Sequence, residues 1–99
     1  MLDFYLIKDD KPKPSNPGQS NLTHAGGLDD RTFDRLQRKG IIDDRFDYYS
    51  DFRWGTELIK QIRKKIKTKG MEKDSDVQSL LALLDIAGQQ NTGLIAYGE

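Results

Sequence analysis

Few side chains in this sequence have the type and spacing to do chemistry. His24 is the only histidine and there is no cysteine, which excludes a disulfide framework, a thiolate metal site and a Cys nucleophile. No second soft ligand lies at useful spacing from His24, which reads as a surface residue in a Gly-flanked polar loop without the donor set a metal needs. The stretch "DDRFDYYSDFRW", taken from Asp43, imitates a calcium loop only in its acids. Its third position is Arg45, its sixth is Tyr48 where glycine is needed, and its twelfth is Trp54 where glutamate is needed. The pairs Asp29/Asp30 and Asp43/Asp44 carry the carboxylates that acid–base catalysis uses, but acids in polar turns cap helices and stay solvated. There is no nucleophile elbow, phosphate loop or dinucleotide fingerprint, and "GGLDD" reads as a loop before a capped helix. The sequence therefore predicts a non-enzyme with no catalytic, cofactor-binding or metal-binding residue.

Two stretches remain as binding candidates. "FDYYSDFRW", residues 46–54, holds five of the nine aromatic side chains. Polar residues interrupt the aromatics, so one core cannot take all five. Phe46, Phe52 and Trp54 are expected in the core, because large aromatics dominate small cores. Tyr48 and Tyr49 are adjacent, which turns at least one outward beside acids. The candidate partner-binding set is therefore Tyr48, Tyr49, Asp47, Asp51 and Arg53. The second stretch is the basic run that contains "RKKIKTKG": between Arg53 and Lys73 there are eight Lys/Arg against two acids, a local balance of +6, although the whole chain is neutral. Lys60, Arg63, Lys64 and Lys67 on this helix form the alternative, a nucleic-acid face around 60–69. The bland reading is a solvated helix face with cations near the C-terminus, where the dipole favours them.

The elements that would position these residues follow from periodicity. Residues 2–7, "LDFYLI", alternate as a strand. "KDDKPKPSNPGQSN" brings all three prolines and opens a Pro-rich loop over about 8–26, longer than most connections. "LDDRTFDRLQRKG" is a helix with Asp29 as N-cap, Phe33 and Leu36 on its buried face and Gly40 as its stop. The next helix starts between Ser50 and Thr56 and ends near Lys69, with Trp54, Leu58 and Ile62 at i+4 and Ile59 and Ile66 widening the stripe. Asp74 or Ser75 caps a third, whose apolar surface (Val77, Leu80, Leu81, Leu84 and Ala87, extended by Leu83 and Ile86) is wide enough for a central position. A strand over 94–97 closes the sequence. Lone strands leave backbone groups unpaired, so the first and last are expected to share a small sheet, in an order β-α-α-α-β whose pairing direction is open.

The chain has 99 residues, 35% hydrophobic and 32% charged, enough for one modest core and one domain over 1–99. The fold class expected is α+β, three helices packed on a small sheet formed by the N- and C-terminal strands. Asp3 interrupts the early apolar run and no stretch approaches a membrane span, so a cytoplasmic protein with no membrane contact is the expectation.

A tryptophan opening an amphipathic helix (residues 54–66), a Leu-rich helix ending in Ala-Gly (80–88) and a terminal strand after Gly93 resemble the C-terminal half of small uncharacterised bacterial YfbM-like domains and of immunity-type proteins of bacterial toxin systems. The resemblance implies a bacterial cytoplasmic α+β domain and carries over no functional residue. The functional expectation is a non-catalytic protein-interaction or immunity/regulatory module that binds another protein, with the nucleic-acid face as the alternative and homo-oligomerisation left open.

Overall fold

A computed structural model describes residues 1–12 and 22–98. The element order is β1 (Leu2–Ile7), β2 (His24–Leu28), α1 (Asp30–Arg38), β3 (Phe52–Trp54), α2 (Thr56–Thr68), α3 (Ser75–Gln90) and β4 (Gly93–Tyr97). The fold is α+β, three helices with a four-stranded antiparallel sheet in the order β2-β1-β4-β3. The first and last strands do pair, with Phe4 opposite Ala96 and Leu6 opposite Leu94, and they occupy the middle of the sheet.

Two strands flank this pair that the β-α-α-α-β order lacks. β3 takes Trp54, expected at the head of the second helix's stripe, and pairs it with Leu94, while the helix itself starts at Thr56. β2 corrects the loop expected over 8–26: residues 24–26 belong to a strand, and so does the "GGL" read as loop. The middle of that Pro-rich segment, 13–21, lies outside the described residues. "HAGGL" hides its strand because glycine has poor β propensity and only Leu28 is a buried apolar residue. Tertiary contact explains the glycines. A Cβ on Gly26, whose φ is +150°, would sit 2.7 Å from Leu83 Cδ2 of α3, and one on Gly27 would sit 2.6 Å from Met1 Sδ. The missing side chain at Gly26 lets Leu83 of α3 lie directly on the sheet, and the one at Gly27 leaves room for Met1.

Alternation divides the sheet into two faces. Leu2, Phe4, Leu94, Ala96 and Trp54 point into one core with Leu36 of α1, Ile59, Ile62 and Ile66 of α2, and Leu80, Leu84 and Ala87 of α3. α3 touches β2, β4 and α1, the central position its broad apolar surface requires. On the other face, Tyr5, Ile95 and Arg53 form one row across the three strands, and Tyr5 packs edge-on against His24 and Tyr97.

Each helix ends where its sequence says it should. Asp29 accepts from Thr32 N–H at 2.7 Å, Asp74 accepts from Val77 N–H at 3.1 Å, and Gly40 and Gly70 take the left-handed conformation after α1 and α2. The exception is α2, whose N-cap Gly55 has no side chain to offer. Asp9 supplies it from 47 residues away: its carboxylate accepts from Thr56 N–H at 3.1 Å and from the Thr56 hydroxyl. These bonds hold the Asp9 carboxyl below its ordinary pKa. Gly93 makes room, since a Cβ there would lie 2.5 Å from the Trp54 carbonyl oxygen and 3.1 Å from Asp9 Oδ1.

One charged cluster joins α1 to α3. Asp76, only 7% exposed, accepts from Arg35 Nε at 2.8 Å and Arg35 Nη2 at 2.9 Å. Lys39 Nζ donates to Asp76 and Asp74, each at 2.8 Å. The Arg35 and Lys39 hydrogen bonds hold Asp76 far below the ordinary carboxylate range, and the two cations are shifted up in return. A depressed carboxylate stabilises the fold above its unfolded pKa and loses that contribution as pH falls through its folded value; the raised cations hold theirs until the pH exceeds about 10.5. Urea unfolding across pH is therefore expected to show stability falling below about pH 4. Asp76→Asn should cost about 2 kcal/mol at pH 7, less than a fully buried pair because Arg35 is half exposed, and its further loss in acid should be smaller than that of the unsubstituted protein.

Candidate functional site

The segment between α1 and β3 is built from two successive aspartate turns. Asp43 Oδ1 accepts from Arg45 N–H and Asp47 Oδ1 from Tyr49 N–H, each at 2.9 Å, while Phe46 N–H and Ser50 N–H donate back to the Asp43 and Asp47 carbonyls. This is what aspartate does in turns, and the repeat "DDRF/DYYS" spells it twice. Gln37 of α1 pins the segment by donating to the Phe46 carbonyl at 2.7 Å and the Asp43 carbonyl at 3.2 Å. Buried Ile41 and Ile42 anchor its start in the core.

The clustered aromatics are graded from core to surface. Trp54 is fully buried. Phe52 lies 5.4 Å from it, and Phe46 lies 5.0 Å from Phe52, centroid to centroid. Phe33 of α1 continues the contacts at 6.1 Å from Phe52 and 5.7 Å from Tyr48. Tyr49 stands edge-on to Tyr48 at 5.1 Å and is 65% exposed. The segment thus belongs to the core at one end and to the surface at the other. Such offset and edge contacts hold the rings rigid at low entropic cost.

Between α1 and these turns runs an open groove of about 610 Å3. Phe33, Phe46, Tyr48 and Tyr49 supply its aromatic lining, and Asp30, Asp34, Asp44 and Asp47 its carboxylates. Burial raises the Tyr48 pKa, and the charge of Asp30 adds to this, while a hydrogen bond with the Leu2 backbone acts the other way. Arg45 lays its guanidinium 4.8 Å from the centre of the Phe46 ring.

Of the five partner-site residues expected from the sequence, Asp47, Tyr48 and Tyr49 line this groove. Asp51 and Arg53 do not. Asp51 accepts from Gly98 N–H at 3.1 Å. Arg53 reaches across the far face of the sheet and donates to the Lys8 carbonyl at 2.6 Å and to the Lys11 carbonyl, holding the turn that carries Asp9. The groove's α1 side, Asp30 and Asp34 around Phe33, was missed. Its signal was present, since Asp30 and Asp34 are four apart and share a helix face.

The four cations of the alternative face are not equivalent. Arg63 pairs with Asp85 at 2.8 Å and Lys60 lies 3.6 Å from Glu57. Lys64 and Lys67 are exposed, and Lys64 lines a shallow depression with Lys65 and Lys69. His24, placed on β2 and not in a loop, has Nε2 3.1 Å from Asp3 Oδ1. Among the described residues no group of three or more His, Asp or Glu could hold a metal, and no helix is long and apolar enough to cross a membrane.

No family model matches the chain, and neither a curated protein nor a solved structure does.

The contrast between the neighbouring tyrosines is measurable. Tyr48→Ala is expected to cost about 2 kcal/mol in urea unfolding at neutral pH, from the loss of a half-buried ring packed on Phe33. Tyr49→Ala should stay within about 0.5 kcal/mol of the parent.

Proposed function

We propose that the protein is a non-catalytic interaction module that binds another protein through the groove between α1 and residues 43–49. The observation that carries the reading is Tyr49, a large aromatic left exposed at the open end of an otherwise packed aromatic series. Tyrosine gives contact area with few torsions to freeze, and rigid aromatics ringed by polar groups are typical of binding hot spots. The acids at the rim add orientation. A bacterial, cytoplasmic, immunity-type or regulatory role is the form that the resemblance of residues 54–93 lends to this reading. Co-purification from native cells, with nuclease treatment, tests it. The tagged parent chain should retain a stoichiometric protein partner, and Tyr49→Ala should reduce its recovery by about tenfold; equal recovery by both chains refutes the site.

A second reading rests on Lys64 and Lys67, exposed cations with no carboxylate bound to them among the described residues, with Lys60 and Arg63 beside them. A nucleic-acid face there would bind DNA or RNA with an affinity that falls steeply with salt. Lys64→Ala with Lys67→Ala should lower the slope of log K against log salt by about 2. Binding that is absent or insensitive to salt removes this reading.

A further inference from the structure

We propose that the groove seats a lysine- or arginine-bearing segment of the protein partner; this rests on the interaction reading above and adds the partner's charge. The lining holds Asp30, Asp34, Asp44 and Asp47 against a single cation, Arg31. Two of the four are engaged within the chain. Asp34 pairs with Arg38 at 2.8 Å, and Asp47 accepts from Tyr49 N–H and the Ser50 hydroxyl. Asp30 and Asp44 have no cation bound to them among the described residues.

The aromatic lining points to the same ligand class. Ring faces attract cations through their quadrupoles, guanidinium most often, and Arg45 already uses the Phe46 ring in this way. Tyr48 lies within reach of the carboxylate charge: its pKa is raised by burial first and by the Asp30 carboxylate second. A cationic side chain entering the groove meets the exposed Tyr49 ring and the carboxylates together and gains charge-assisted hydrogen bonds. An anionic segment would meet the same carboxylates as repulsion. The volume, about 610 Å3, is that of a site for a few side chains.

A second copy could offer a cationic face of its own, the α2 surface with Lys64, Lys65 and Lys69. That contact would join two unlike faces, which closes into a two-fold pair only where each groove meets the other copy's α2 face reciprocally and otherwise propagates into rings or filaments. We take a different chain as the occupant, in keeping with the interaction reading above, and self-association as the outcome that overturns it.

The test titrates the 15N-labelled full chain with a short peptide alternating lysine and serine, and with its glutamate–serine counterpart. The lysine peptide should shift amides of residues 30–37 and 43–49 saturably, and the glutamate peptide should leave them in place. Asp30→Asn with Asp44→Asn should weaken the lysine peptide about fivefold, and Asp44→Lys, at an exposed position, should do so without touching the helix. Absent shifts, shifts confined to other surfaces, or groove binding of the glutamate peptide overturn the proposal. So does concentration-dependent self-association that shifts the groove amides and is abolished by Lys64→Glu. Co-purification separates the two levels. A partner lost with Tyr49→Ala but kept with Asp30→Asn/Asp44→Asn leaves the interaction reading intact and removes the charge class, whereas a partner kept with both removes both.

Discussion

The ladder between β1 and β4 is the interaction on which the remaining structure depends. It joins the first and last apolar segments of the sequence, Asp3 to Tyr97 through Ile7 to Gly93. A two-stranded ribbon alone is marginal in water and needs further strands or a packed face. Here it receives both. Phe4, Leu94 and Ala96 are completely buried under the helices, and β2 and β3 add to its two edges. Neither added strand would stand by itself, one carrying two glycines and the other having three residues. Both exist because an edge is waiting for them, and the backbone bonds they make satisfy that edge.

Single polar contacts over long sequence distances then place the segments that apolar burial cannot place. The turn after β1 is charged and holds no core residue, yet Arg53 grips its carbonyls and Asp9 caps α2 from it. Strand β3 and helix α2 are thereby tied to the end of β1 at a point where Gly93 leaves space. The Arg35–Asp76–Lys39 cluster does the same between α1 and α3. Its carboxylate sits on the buried stripe of α3, in line with Leu80, Leu83 and Ala87. An acid in that position is stable only because two cations and the helix N-terminus meet it together.

The groove is a product of the same architecture. Gln37 and the aspartate turns hold 43–50 against α1, so the aromatic series that begins with Trp54 in the core ends with Tyr49 at the surface. Core packing supplies the rigidity of the site, and the turns that shape it supply part of its charge. One short stretch therefore serves folding and exposure at once, and its acids belong to both roles.

Local chemistry determined a large part of this protein from sequence alone. The alternation of "LDFYLI", the Asp29 and Asp74 caps, the stops at Gly40 and Gly70 and the apolar stripes of α2 and α3 are short-range patterns that set their elements, although Trp54, expected at the head of the α2 stripe, lies in β3 and the helix buries Ile59, Ile62 and Ile66. The outward turn of one of two adjacent tyrosines was legible for the same reason. What tertiary structure decided lies beyond that range. β2 is a strand because β1 offers it an edge and Leu83 needs its glycine, not because "HAGGL" favours extension. Asp9 and Arg53 owe their roles to residues more than forty positions away. Asp30 and Asp34 join Asp47, Tyr48 and Tyr49 in one groove, while Asp51 and Arg53, closer in sequence, are drawn to other work. Sequence neighbours share a turn, but only the packed fold decides which carboxylates share a surface.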